Sequence, residues 1–326
     1  MLRSARNVLI LLGFAALASA TDRPLVRLER SLDAMGSTYT VAAYGPDRFA
    51  MESAIDEAFE EVQRLDQLLS NYRPESEWSL VNREAAKHPV RVSEELYQLL
   101  DRCLAYSRAS EGAFDITVGP LMKLWGFYRG QGRIPRRFEI RAIQDRIGYQ
   151  HIQLDPAART VRFTKPVEID PGGIGKGYAV DRMAEILRRR GVASAIISAG
   201  RSSIYGIGAP PGEPQGWRVT IPHPRDPRRA VAEYFLKDHS MSTSGTTEKF
   251  FAVGRRVYSH IMDPRTGRPA EGMLQVSVLA PKTVDSEAWT KPFFVLGRQW
   301  AARHKPAGFT VFLCEDRSEI ACVSLP

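Results

Sequence analysis

Cysteine is scarce in this chain of 326 residues: Cys103, Cys314 and Cys322 are the three present, and none of them forms a CxxC or CxxCH spacing. That argues against a cysteine-built metal centre, a thioredoxin-type redox pair and covalent haem attachment. A Cys314–Cys322 bridge stays open, because both flank the turn-like Glu315–Glu319 stretch, but antiparallel register need not face them together and no disulfide is assigned. After Ala18 no segment approaches the ~20 uninterrupted apolar residues of a membrane-crossing helix, so a membrane-spanning chain is not expected. Basic residues are scattered among acids and form no runs interleaved with stacking aromatics, so the formal charge of +8 suits anionic ligands and not nucleic acid. A P-loop is also missing. Its G-x-x-x-x-G-K-[ST] pattern would need glycine at Asp170 and a hydroxyl at Gly177.

The first twenty residues have the make-up of an export leader. Basic Arg3 and Arg6 precede the apolar run Val8–Ala18, and Ala18-Ser19-Ala20 offers small residues for cleavage before Thr21. The expectation is residues 1–20 as a signal peptide, residues 21–326 as one domain, and a periplasmic destination. Losing Arg3 and Arg6 takes the formal charge from +8 to +6.

Chemistry concentrates in Glu168-Ile169-Asp170-Pro171-Gly172-Gly173-Ile174-Gly175-Lys176-Gly177-Tyr178, which sets glycines and one lysine between a strand-like segment and an amphipathic helix. Glycines let backbone amides approach a ligand with no Cβ in the way, a helix start carries positive partial charge, and Lys176 adds an ammonium. The ligand this favours is a phosphate or pyrophosphate. The competing reading is a tight turn with Lys176 in solvent.

Periodicity supplies the frame. Ile55, Phe59, Val62, Leu65 and Leu69 recur at helical spacing and predict a helix from about Ala50 to Leu69. A second is predicted over Val92–Ser107 with Ser93 as N-cap, a third over Arg136–Ile147, a fourth over Tyr178–Arg190 closed by Gly191, and a last around Ser286–Leu296. Strands are predicted at Tyr39–Tyr44, Ile152–Leu154, Thr160–Phe163, Ala193–Ser198, Ile204–Ile207, Trp217–Ile221, Gln275–Leu279 and Thr310–Cys314. No repeat or linker divides the chain, so a single α+β domain is the simplest account.

Several separated motifs then fall in one order. They are Met35-Gly36-Ser37, Leu69-Ser70-Asn71-Tyr72, Gly112–Pro120 with Leu124-Trp125-Gly126-Phe127, Gly172–Asp181, Thr243-Ser244-Gly245 with Glu248, His260–Gly267 and Phe294-Val295-Leu296-Gly297. By these the chain resembles the FAD:protein FMN transferases, the ApbE family. The resemblance implies an α+β, T-fold-related domain with mixed sheets and packed helices. It also implies that FAD is bound and split, its FMN phosphoryl group passing to a threonine of an exported flavoprotein while AMP is released.

Carried onto this sequence, the resemblance puts Met35, Tyr72 and Asp115 in the FAD pocket, and Gly172, Gly173, Gly175 and Lys176 at the pyrophosphate. It adds Asp181, Thr243, Ser244, Gly245 and Glu248 to the nucleotide site, with Arg201 either blocking the ligand or clamping a phosphate. His260 and Lys176 are the catalytic candidates, the imidazole as base for the threonine hydroxyl. The family binds Mg²⁺ through an Asp-Ala-x-x-Thr motif and a backbone carbonyl at the position of Gly173. Here Glu287-Ala288-Trp289-Thr290-Lys291 stands at that motif, so the resemblance leaves Glu287 and the Gly173 carbonyl as the candidate Mg²⁺ ligands, while Lys291 stands in the threonine's place and cannot ligate when charged. Glu287 and Lys291 are spaced for an i,i+4 ion pair, leaving the ammonium where a cation sits in relatives. The alternatives to transfer are an exported FAD binder, or a pyrophosphatase that hydrolyses FAD to FMN and AMP.

Overall fold

The computed structural model describes residues 24–254 and 256–326 of the chain, so the leader expected at residues 1–20 lies outside the described residues. One eight-stranded sheet organises the rest. Its strands are β1 (Val26–Ala34), β2 (Ser37–Gly45), β3 (Ser194–Ala199), β4 (Ser203–Ile207), β5 (His239–Gly245), β6 (Met273–Ala280), β7 (Thr310–Glu315) and β8 (Ala321–Leu325), and they lie in that spatial order. Each strand pairs antiparallel with the next. The α+β class therefore holds, but the described pairings are all antiparallel and not the mixed sheets expected. The physical reason is that each strand of this sheet pairs with the next one along the chain, reached by a tight hairpin or by a return through helices or through smaller strand pairs.

Alternation assigns the two faces. Tyr39, Val41 and Ala43 of β2 and Ala195, Ile197 and Ala199 of β3 join one core with helices α1 (Arg48–Leu69) and α3 (Gly175–Arg189). Val276, Val278 and Ala280 of β6 and Val311 and Leu313 of β7 join a second with α2 (Glu94–Ala109) and α4 (Thr283–His304). Residues of opposite parity, Met241, Leu279, Phe312 and Cys314, face away and are covered by the hairpin Trp217–His223 and Asp226–Leu236. A bridge joins Cys314 to Cys322, which are directly opposed across β7 and β8, so the register places together two side chains that were given no disulfide above.

One expectation shifts at α4, predicted only around Ser286 to Leu296. The element spans Thr283–His304: Pro292 is accommodated inside it, and Gly297, at φ 79° and ψ −177°, kinks the path before the helix resumes. The first hairpin likewise needs left-handed backbone at both turn residues, Met35 at φ 50° and Gly36 at φ 67°, a two-residue turn that suits the twist of the flanking strands.

Helices α3 and α4 cap each other. Asp181 on α3 accepts the N–H of Thr283 at 2.6 Å and of Val284 at 2.9 Å, the first turn of α4. Glu287 on α4 in return accepts the Gly177 N–H in the first turn of α3. The helices approach closely enough that a Cβ on Gly177 would stand 2.5 Å from the Thr283 carbonyl oxygen. No other residue fits there.

Burial raises the Asp181 carboxyl to about 6, above its ordinary value of 3.8, although both backbone bonds favour the charged form. The native state thus holds this proton more tightly than the unfolded chain. The cost of burying the charge is present above pH 6 and is relieved as pH falls through 6 toward 3.8. Asp181→Ala, which strands two amides, is expected to lower unfolding free energy by about 1–3 kcal/mol in urea titrations at pH 7. Asp181→Asn should cost less and should flatten the pH dependence of stability between pH 6 and 4; an unchanged unfolding midpoint for the alanine variant would contradict the capping role.

Candidate functional site

The glycine turn is fixed from behind. Asn82, on the short helix Glu77–Glu84, accepts the Ile169 N–H at 2.8 Å and donates to the Ile169 carbonyl at 3.0 Å, imitating a strand partner. Trp78 Nε1 donates to the same carbonyl at 3.0 Å. Asp170 then collects the Gly172 N–H at 2.7 Å, Asn71 Nδ2 at 3.0 Å and the Tyr128 hydroxyl. Burial pushes this carboxyl above the usual range despite its three donors.

That scaffold decides what the turn offers. Gly172 N–H goes to Asp170, Gly175 N–H to the Pro171 carbonyl at 2.9 Å, and Gly177 N–H to Glu287. Among the described residues the amides of Gly173 and Lys176 have no protein acceptor. These two amides and the Lys176 ammonium, which rests on the Ser202 hydroxyl, are the donors available to an anion.

They open into a cavity of about 420 Å³, within the ~300–1,000 Å³ span of small-molecule sites. Met35, Tyr72, Asp115, Gly172, Gly173, Gly175, Lys176, Thr243, Ser244, Glu248, His260 and Glu287 all line it. One wall is aromatic and apolar, with Phe114, Phe127 and Tyr128, and Tyr72 set edge-on to Tyr128 at 6.2 Å between ring centres. Tyr72 is itself 77 % exposed, so it forms the mouth. Asp115 shapes the wall through its own bonds, accepting from Thr117 N–H at 2.8 Å, Thr117 Oγ1 at 2.7 Å and Tyr149 N–H at 2.8 Å. Burial raises it to about 6.

Three expected nucleotide contacts do not line the cavity. Asp181 is turned to the start of α4 and occupied there. Arg201 is exposed at the β3–β4 turn, where Ser202 takes the cavity side. Gly245 ends β5 in register with Gln275, beyond the rim. The expected Glu287–Lys291 ion pair is also replaced: Lys291 Nζ donates to the Glu287 backbone carbonyl at 3.1 Å, since the carboxylate is held by Gly177.

His260 is placed by the strand pair Phe250–Val253 and Arg256–Ser259, whose end brings its backbone N–H to the Lys249 carbonyl at 3.0 Å. Its ring Nδ1 lies 3.1 Å from that same carbonyl. A carbonyl only accepts, so Nδ1 carries the proton and Nε2 keeps its lone pair. Nε2 faces Glu248 at 3.9 Å. Burial lowers the imidazole from 6.5 to about 4, with Glu248 opposing. The next residues are locked by Asp263, which accepts from Arg265 Nε at 2.9 Å and Nη2 at 3.0 Å, and by Trp125 Nε1 donating to Gly267 at 2.9 Å.

The chain's likeness to known proteins agrees with this arrangement. The ApbE family profile matches residues 35–311. The chain belongs to the ApbE family. It is 32 % identical over 294 residues to the FAD:protein FMN transferase of Salmonella typhimurium, covering 87 % of this chain and 83 % of that one. The FAD:protein FMN transferase of Escherichia coli K12 is 33 % identical over 247 residues, 72 % of this chain and 69 % of its own. The crystal structure of the ApbE protein of Thermotoga maritima superposes with a TM-score of 0.82 at 28 % identity, over 91 % of this chain and 96 % of that one.

Within this ApbE fold, sequence reasoning missed Asp170, Tyr128, Ser202 and Lys249. Asp170 had a signal, sitting inside the glycine run where it breaks the P-loop pattern. The others had none, because each reaches the cavity only through chain folding. For His260 the geometry predicts an imidazole that remains neutral down to about pH 4 in the folded protein. Proton NMR of the ring, assigned by comparison with His260→Gln, checks this; a midpoint at 6 to 7 would refute the half-buried, Nε2-free state.

Proposed function

We propose that this chain is an FAD:protein FMN transferase, moving the FMN phosphoryl group of FAD to a threonine hydroxyl of an acceptor flavoprotein and releasing AMP. The observation that carries the reading is the convergence, on one cavity, of an unprotonated His260 Nε2 with the free Gly173 and Lys176 amides. In this reading the isoalloxazine ring lies against the aromatic wall and the pyrophosphate meets the glycine turn. His260 takes the threonine proton as Oγ attacks the FMN-side phosphorus. The phosphorus–oxygen bond to the AMP phosphate breaks, AMP leaves with that electron pair, and Glu248 stands close to the imidazolium formed. Lys176 balances charge on the pyrophosphate through the transfer.

A divalent ion does not suit the donors here. Of the oxygens at the family's metal motif, the Glu287 carboxylate binds Gly177 N–H, and Thr290 Oγ1 donates to the Glu287 carbonyl at 2.7 Å and pairs with Ser244 Oγ at 2.8 Å. Asp285 takes Arg102 at 2.7 Å and the Tyr106 hydroxyl. Mg²⁺, which demands near-octahedral oxygen ligation, would meet an ammonium instead. No step is assigned to it. The acceptor is read as an exported flavoprotein, and this chain as periplasmic after cleavage at Ala20, on the leader-like composition of residues 1–20.

The test incubates the mature protein with FAD and an acceptor domain carrying the threonine. Expected are in-gel flavin fluorescence on the acceptor, a mass gain of one FMN unit, and one AMP per modified chain. FMN and AMP with an unmodified acceptor would mean hydrolysis, and retained FAD without AMP would mean a binder. His260→Ala should reduce transfer about 10²–10⁴-fold while FAD still binds. Lys176→Met should weaken FAD binding about tenfold or more, the scale of a lost charge-assisted hydrogen bond.

A further inference from the structure

We infer that Lys291 is a tethered cation for the pyrophosphate, neutralising the charge that a divalent ion would otherwise balance, so that this chain binds its dinucleotide without Mg²⁺. The inference rests on the transferase reading for the ligand and on this chain's own residues for the site. Lys291 lines the cavity on α4, and its Cε would lie 3.5 Å from a Cβ on Gly173, against one of the two residues of the turn whose amide is free. The arm therefore delivers its ammonium where the anion must sit. Among the described residues Nζ has one hydrogen-bond partner, the Glu287 carbonyl at 3.1 Å, and no carboxylate oxygen within 4.0 Å. An ammonium largely withdrawn from water with no carboxylate partner is costly unless a ligand supplies the negative charge.

Lys176 answers it from the turn, resting on a neutral partner, the Ser202 hydroxyl. Two ammonium groups with only neutral hydrogen-bond partners thus flank the two free amides. A dinucleotide's diphosphate carries about two negative charges, which this pair and the amides complement. The carboxylate that would have to draw in a divalent ion, Glu287, is held by the first turn of α3 and is only 2 % exposed. Moving it to a metal would uncap that helix. The cation is built into α4 because the neighbouring oxygens are committed to holding the fold.

Calorimetric or fluorescence titration with FAD, together with the acceptor assay, separates the two readings when each is run in excess EDTA and in millimolar Mg²⁺. The natural protein is expected to bind FAD with affinities within about twofold in the two conditions. Lys291→Met should bind about tenfold or more weakly in both, the scale of a lost charge-assisted contact. Lys291→Arg, which keeps the charge, should retain most of the affinity and remain indifferent to Mg²⁺; near-ultraviolet dichroism confirms that each variant is folded. Tenfold or greater tightening of the natural protein by Mg²⁺ overturns the inference, as does undiminished FAD binding by folded Lys291→Met. If FAD binds as expected but the acceptor stays unmodified in both conditions, the transferase reading fails and the Lys291 assignment stands. Absence of FAD uptake in both conditions overturns both.

Discussion

Two carboxylates, one buried and one half-buried, each leaving one helix to close the end of another, fix the frame around the cavity. Asp181 of α3 holds the first turn of α4, and Glu287 of α4 holds the first turn of α3. Helix starts carry unsatisfied amides and positive partial charge, so an acid is favourable there. Burial opposes it, as the raised Asp181 carboxyl records. The exchange also fixes composition, since only glycine at position 177 permits the approach of the Thr283 carbonyl. Because the glycine turn is the lead-in to α3 and Lys291 is one turn beyond Glu287, the same pairing sets the spacing between turn and lysine.

The sheet contributes no chemistry of its own beyond Ser202, Ser203, Thr243 and Ser244 at its edge of the cavity. Its strands follow one another in chain order, and the functional side chains arrive on what is inserted between them. The β2–β3 connection brings α1, α2, the aromatic wall, the glycine turn and α3; the β5–β6 connection brings Glu248, Lys249 and His260. An antiparallel sheet whose central strands are covered on both faces is a rigid base. Segments carried on such a base are positioned by few bonds, as Asn82 at Ile169 and Trp125 at Gly267 do here.

Helix periodicity and Ser93 as a cap were legible because both are local: the apolar stripe of α1 and the Ser93 Oγ that accepts Leu96 N–H at 3.3 Å act within one or two turns. The order of the sheet was not legible, because β2 and β3 pair across the whole inserted segment that carries the site. The same divide runs through the site. Lys176 and the glycines are contiguous and could be read as an anion turn, yet which amides stay free depends on Asp170, Pro171 and Glu287. Asp181 follows so closely on the glycines that it reads as part of their motif. On a helix that spacing turns the side chain away from the turn and toward α4. Lys291 was visible as a departure, but an i,i+4 rule pairs it with a carboxylate that tertiary contact has already claimed.

His260 shows how burial and ligand charge divide the requirements of a base. Lowered to about 4, the imidazole is free of its proton at any ordinary pH, but a base that weak gains little by taking one. Glu248 at 3.9 Å favours the imidazolium, while Lys291 and Lys249 disfavour it. A pyrophosphate docked on Gly173 and Lys176 would change that balance, since it brings negative charge to the cations that oppose protonation. The base would then strengthen only when the nucleotide is in place. In the transferase reading, the two lysines and the imidazole are in this way coupled through one field, and an empty cavity keeps its histidine neutral.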